Sequence, residues 1–415
     1  LLYDPDLELV ASWDLSSLLC LEHNANDGLV ASLEGIRHAL LVRVPVSLIR
    51  KLGEYRFVLQ VWDNHAHLHK DHQVRPALEL NQIVDTFPIK WIHGIYADTE
   101  WRGIRVNIPL LKQLVYPNKG IKTLEFTPHS NTGDHDKDLP SVQHYVWSQI
   151  IASARTGTLK MHTCRAAVNG TFFDHNQYPY ELRGRVGIGS WPWSGKEIPK
   201  QRWAFGISSS LSFEKERMQR TGSNNYDVPS SWEGRYLFGL SGIGCLVDNG
   251  NKILDPNIAC EGFTKMDGKY ARTLIAWTKD QKHFFMIWSK GDYFNFAGLT
   301  DPYDPYWGEG WTWIEARDFL LDYLPYHLDY PVIVSENWRP QKRFDIYQGL
   351  LLDGGSHSDI IYIRAWEDVP ALTGTDEDIK RKLRQRYGVE VHDNESDGGI
   401  YRRGNRSAVQ AYLVP

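Results

Sequence analysis

The chain has 415 residues, of which 42% are hydrophobic and 23% charged, with a formal net charge of −5. That length suits one large domain with additions, or a few smaller ones, and the apolar fraction can furnish a substantial core. The negative balance excludes a global basic field for nucleic acid, and no apolar run approaches the ~20 residues of a membrane span.

The sequence starts at Leu1 without Met and lacks a signal-peptide pattern, so it reads as trimmed. An extracellular or periplasmic location is the expectation, and the sequence assigns no oligomeric state. The cysteines, Cys20, Cys164, Cys245 and Cys260, form no C-x-x-C pair, which argues against a zinc knuckle. Cys245 and Cys260 flank a hairpin signal and are candidates to pair. The 16 Trp and 21 Tyr often lie beside Gly, Pro, Asp or Asn, where they can offer flat faces to the C–H faces of sugar rings. Core burial is the plainer explanation for most of them.

Residues 1–90 read as a separate accessory module with β structure, strands being expected over 39–46 and 55–61. The run D-N-H-A-H-L-H-K-D-H follows at 63–72. In a strand, Asp63, His65, His67 and His69 would share one face as metal ligands, whereas a solvated loop is the commoner state of such a run. No cofactor is expected and no metal ligand is assigned, with this run the place where an ion remains open.

From residue 91 the signals change. Strands are expected at 103–108 and 123–126, a polar loop at 129–140, and a helix over 141–154 with Val142, Val146, Ile150 and Ile151 inward. Ala166 to Val168 reads as a short strand, with Asn169-Gly170 as a turn signal behind it. Asn169 also opens an N-x-T sequon, although its flanks read as buried strand. Residues 183–205 read as a loop of stacking surfaces, Trp191, Trp193 and Trp203, among cations suited to an anion: Arg183, Arg185, Lys196, Lys200 and Arg202. Asn249-Gly250 marks the tip of a hairpin over 243–254, and strands are expected at 273–278 and 283–289. Arg272 enters the first of these, either as a structural ion pair or as a fork for a carboxylate or phosphate. Thr312 and Glu315 form a capping box for a helix over 312–324, so Glu315 is a cap before it is a catalyst. A strand is expected at 331–335.

The apolar run Leu350 to Leu352 reads as a strand buried on both faces and stops at Asp353, Gly354 and Gly355. A carboxylate there has its backbone held by the sheet, and the glycines leave no side chain between it and a ligand. Ser356, His357 and Ser358 bring hydroxyls and an imidazole to the same rim, while an Asx turn at Asp353 is the bland alternative. A helix over 376–387 is opened by Thr375 and carries a basic face toward water. The whole reads as an α+β protein with a mixed, sheet-rich catalytic domain over 91–368, a few flanking helices, and a C-terminal extension over 369–415.

Four stretches taken in order carry a family likeness: A-V-N-G-T-F-F at 167–173, S-G-I-G-C-L-V-D-N-G at 241–250, A-R-T at 271–273 and L-L-L-D-G-G-S at 350–356. With the T-W-I-E helix start, they resemble the phosphodiester glycosidase family over roughly residues 95–365. Thr171 stands where that family has the second Gly of N-G-G-F-F, and D-G-G-S-H-S replaces its D-G-G-G-S. The resemblance implies a carbohydrate substrate and cleavage of an anomeric C–O bond, in a glycan or a sugar-1-phosphodiester. In that scheme Asp353 is nucleophile or water-activating base, Arg272 holds leaving-group oxygens, and Asn169 and Ser356 fix hydroxyls or phosphate oxygens. If the leaving group is a sugar, Glu315, Asp174, Glu181 and His357 are candidate acids. The expected binding rim is Gly354, Gly355, Ser356, His357, Thr171, Asp174, Arg183, Trp191, Trp193 and Trp203. Two rivals remain: a non-catalytic glycan-binding or adhesion protein on the same scaffold, and a metal-dependent hydrolase using the histidine run.

Overall fold

The computed structural model describes residues 1–12, 29–30, 39–40, 46–61, 78–114, 118–126, 141–172, 182–188, 193–222, 224–232, 234–261, 267–291, 310–327, 342–354, 358–393 and 406–414. They form two compact units, one drawing on residues 1–87 and 112–114 and the other on the remainder.

The smaller unit is built on a four-stranded antiparallel sheet in the order Leu9–Ala11, Leu2–Tyr3, Glu54–Val61, Leu78–Asp85. Asp4 closes the first turn by accepting from the Asp6 and Glu8 amides, and Lys51 Nζ lies 2.7 Å from its other oxygen. Within the strand expected at 39–46, Ala39–Leu40 is strand and Val46 opens a 3₁₀ turn at Val46–Leu48, while residues 41–45 lie outside the described residues. The histidine run at 63–72 lies outside the described residues.

The larger unit holds two large antiparallel sheets and a two-stranded pair, Gln219–Thr221 with Asn225–Asp227. The central path of the eleven-stranded sheet runs Ser194–Gly195, Arg185–Ile188, Phe238–Asp248, Ile346–Leu351, Arg272–Thr278, His283–Ser289, Thr99–Asn107, Ile89–Tyr96. Trp203–Ile207 also pairs with Phe238–Asp248 and carries Phe213–Arg217 outside it. The continuous apolar runs explain the middle of the sheet: every residue of Arg272–Thr278 is buried, as a strand covered on both faces requires. Asn249 and Gly250 both take positive φ at the Phe238–Asp248 to Asn251–Lys252 turn, as the Asn-Gly signal demands.

The second sheet has five strands in the order Glu390–Asp393, Ile360–Arg364, Cys164–Asn169, Ser407–Val414, Asn118–Glu125. One face carries two helices. Val142–Thr156 starts at Ser141, whose Oγ accepts from the His144 amide, and ends at Gly157 with φ 66°. Asp376–Arg386 starts at the Thr375–Asp378 capping box and buries Ile379 and Leu383. The other face meets the large sheet: Tyr362 Oη donates to Ile89 O at 3.2 Å, and Thr123 Oγ1 donates to Gly187 O at 2.6 Å. Helix Trp313–Asp318, with the turn Phe319–Tyr323, covers the outer face of the large sheet through Trp313, Ala316, Phe319 and Leu320.

Within the segment expected as a C-terminal extension, Ser407–Val414 pairs between Cys164–Asn169 and Asn118–Glu125. Two expectations are corrected. Residues 183–205 are not one loop. Arg185–Ile188 and Trp203–Ile207 are strands, and the tryptophans that are described pack inward. Cys245 is a free buried thiol and does not pair with Cys260.

Candidate functional site

The four motif stretches meet at the end of the Ile346–Leu351 strand. The Leu352 amide donates to Thr273 O and the Asp353 amide to Gly170 O, both at 2.9 Å. Asn169 Nδ2 donates to Asp353 O at 2.7 Å, while Asn169 Oδ1 accepts from Thr273 Oγ1 at 2.6 Å and from the Asp359 amide at 3.0 Å. Thr171 Oγ1 donates to Ser241 O at 2.6 Å. A Cβ on Gly354 would lie 2.9 Å from Ala271 O. Stretches as far apart in the chain as 167–173 and 350–356 are thus joined by hydrogen bonds around one aspartate.

Glycine is required where backbones touch. A Cβ on Gly170 would overlap Ser407 Oγ and sit 3.0 Å from the Ser407 carbonyl carbon. Gly184 and Gly242 both take positive φ, and a Cβ on either would strike the backbone of the other's segment. That contact brings residues 183–185 against 241–242, and the Arg185 amide donates to Ser241 Oγ at 2.7 Å.

Asp353 is 5% exposed, and among the described residues its Oδ1 accepts from the Gly354 amide at 2.9 Å. Burial pushes its carboxyl up to about 8, opposed by the Gly354 N–H and by the positive charges of Arg183 and Arg202. Among the described residues no cation pairs directly with it. Arg202 is itself buried: Nε donates to Glu261 O at 3.1 Å, Nη1 to Gly242 O at 3.2 Å, and its guanidinium lies 5.5 Å over the Phe172 ring. Arg183 is exposed, and its amide donates to Phe172 O at 2.8 Å.

The other expected residues fall in different roles. Arg272 lies beside Gly354 through its backbone, but its Nε donates to Trp311 O at 2.8 Å and its Nη2 to Gly268 O at 3.0 Å, so these donors tie loops together. Asn169 likewise has both ends of its amide engaged by the protein. Thr171 is buried, its hydroxyl on Ser241 and its amide on Ser407 Oγ. Glu315 completes the capping box, with Lys269 Nζ 3.7 Å away. Trp193 lies across Gly187 and Gly239, where its ring occupies the space a Cβ would need, and meets Trp232 edge-on at 6.1 Å. Trp203 is buried on its strand, donating Nε1 to Ile258 O at 2.9 Å beneath Lys215. Asp174, Glu181, Trp191, Gly355, Ser356 and His357 lie outside the described residues.

Sequence reasoning named Arg202 only within a run of cations, and it missed Ser407. The A-R-T stretch pointed at Arg272, whereas Thr273 is the residue that bonds to Asn169. Nothing local to Ser407 marks it, since its part depends on a strand pairing made across the chain.

No family model matches the chain, and no curated protein matches it in sequence. Among solved structures it is similar to the zebrafish N-acetylglucosamine-1-phosphodiester α-N-acetylglucosaminidase catalytic domain, auto-inhibited by its pro-peptide. That similarity has 14% identity and a TM-score of 0.40, over 89% of this chain and 84% of that one. A hypothetical protein from Synechocystis is similar at 10% identity and a TM-score of 0.34, over 78% of this chain and 61% of that one.

Proposed function

We propose that the chain is a glycosidase that cleaves an anomeric C–O bond in a glycan or a sugar-1-phosphodiester, with Asp353 as the reacting carboxyl. The observation that carries this reading is the joining of all four motif stretches by hydrogen bonds around Asp353. Such a carboxyl is held in place by its backbone, and among the described residues its head takes one hydrogen bond, from the Gly354 amide.

With its carboxyl raised to about 8, Asp353 carries its proton at neutral pH. In that form it can donate to the departing glycosidic oxygen as the C–O bond breaks, while a water oxygen adds to the anomeric carbon and the proton that water sheds restores the acid, which an ordinary sugar leaving group requires. The nucleophile or base role expected from the sequence belongs to the ionised form, which suits a phosphate leaving group that departs without protonation. Arg183, exposed and acting on the Asp353 charge, is the cation proposed to receive an anionic leaving group. Arg272 and Asn169 are positioning residues in this scheme, holding the Asp353 strand end from two sides.

The experiment is a screen of aryl glycosides, sugar 1-phosphodiesters and polysaccharides with product detection, run on wild type and Asp353→Asn. Turnover that disappears in the variant is expected. With a sugar leaving group, kcat should fall above pH 8. A variant that keeps full activity rules out the assignment.

A further inference from the structure

We propose a second site, independent of the glycosidase reading: a phosphate-binding corner formed by Lys122, Arg165, Gln410 and Tyr412 on the helix-bearing face of the five-stranded sheet. The register puts these side chains together. Arg165 pairs with Tyr412, which pairs with Gly120; Ala167 pairs with Gln410, which pairs with Lys122. Residues directly opposite, and those two apart on a strand, share a face. The same face carries Ala167, Ile361 and Ile363, and these pack under helix Val142–Thr156.

Both cations lie against one ring. Lys122 Nζ is 4.9 Å and the Arg165 guanidinium 5.5 Å from the centre of Tyr412. Gly120, directly across from Tyr412, presents no side chain there. Among the described residues neither cation has an ion pair; Arg165 bears on the charge of Lys122, and Cys164, Tyr145 and Tyr412 bear on that of Arg165. Burial lowers both, and Arg165 adds its repulsion at Lys122. Two like charges half-buried against one ring, with no carboxylate paired to either among the described residues, are stabilised by an anion.

Gln410 narrows the choice of anion. Its Nε2 donates to Gln149 Oε1 at 2.7 Å, while its Oε1 is buried without a donor. A phosphate that retains one P–OH supplies negative oxygens for Lys122 and Arg165 and a donor for that amide oxygen. Sulfate offers the charge without the donor. The corner is also separate from Asp353, since Arg165 is four residues back along its strand from Asn169, about 13 Å.

The test is calorimetric titration of inorganic phosphate, and separately of sulfate, into the full chain in a phosphate-free buffer. Saturable phosphate binding with a dissociation constant of about 1 mM or below is expected, and sulfate should bind several-fold more weakly. Lys122→Gln and Arg165→Gln should each weaken phosphate binding roughly tenfold or more. Lys122→Arg should retain binding, which separates loss of charge from loss of fold, and Arg235→Gln, at an exposed cation paired with Glu214, should leave it unchanged. No saturable binding, sulfate binding as tight as phosphate, or binding lost in Arg235→Gln but kept in Lys122→Gln would overturn the proposal.

Discussion

Replacing Asp353 by Asn preserves the shape of the side chain and its acceptor for the Gly354 amide, and removes only its proton equilibrium. Burial holds this carboxyl near 8 in the folded protein against 3.8 in a solvated chain. The folded state therefore binds the proton more tightly than the unfolded one. Its stabilising effect is fully present below pH 3.8 and is lost as pH rises through 8. Between those limits the wild type gives up stability from this group with each pH unit, on the order of 3 kcal/mol from pH 5 to pH 7. Asn has no such loss. Urea unfolding of both proteins, followed by tryptophan fluorescence at pH 5, 6, 7 and 8, gives the stability difference directly. It should grow in favour of the variant by roughly that amount between pH 5 and pH 7, then level off above pH 8. Other titrating groups contribute equally to both proteins and cancel. A difference that stays flat with pH would show that the carboxyl is not raised, and the proton-donor role would fall with it.

Asn169→Ala strips partners from the Thr273 hydroxyl, the Asp359 amide and the Asp353 carbonyl in a fully buried place, so a loss of about 3 kcal/mol or more is expected in urea unfolding. Gly170→Ala forces a Cβ into Ser407 and should cost about 1–3 kcal/mol, with turnover reduced because Gly170 O holds the Asp353 amide. Arg272→Lys loses the two-pronged hold on Trp311 O and Gly268 O, so stability should fall by about 1–3 kcal/mol. A positioning role predicts that KM for a phosphodiester changes less than kcat, and a selective rise in KM would restore Arg272 as a leaving-group contact.

Local patterning carried much of the fold. Thr312-x-x-Glu315 and Thr375-x-x-Asp378 formed the capping boxes they spell, because a cap is satisfied within one turn of chain. The apolar stretch Leu274 to Trp277 and the run that begins at Leu350 fall in the central strands Arg272–Thr278 and Ile346–Leu351, because burial on both faces suits such runs. Asn249-Gly250 turned with both φ positive. The aromatic stretch 183–205 misled because Gly beside Trp reads as loop, whereas Gly187 and Gly239 are bare so that the Trp193 ring can lie flat across two strands.

What the chain settles alone is therefore short-range: caps, turns, strand periodicity, and the aspartate at the end of a buried strand with glycine after it. Pairing decided the rest. Whether the Asn169 amide faces a ligand or a neighbouring backbone, and which arginines act on Asp353, depends on strands brought together from opposite ends of the sequence. Hydrogen-bond donors and acceptors are engaged by whatever lies opposite them in space, and the sequence order does not contain that information.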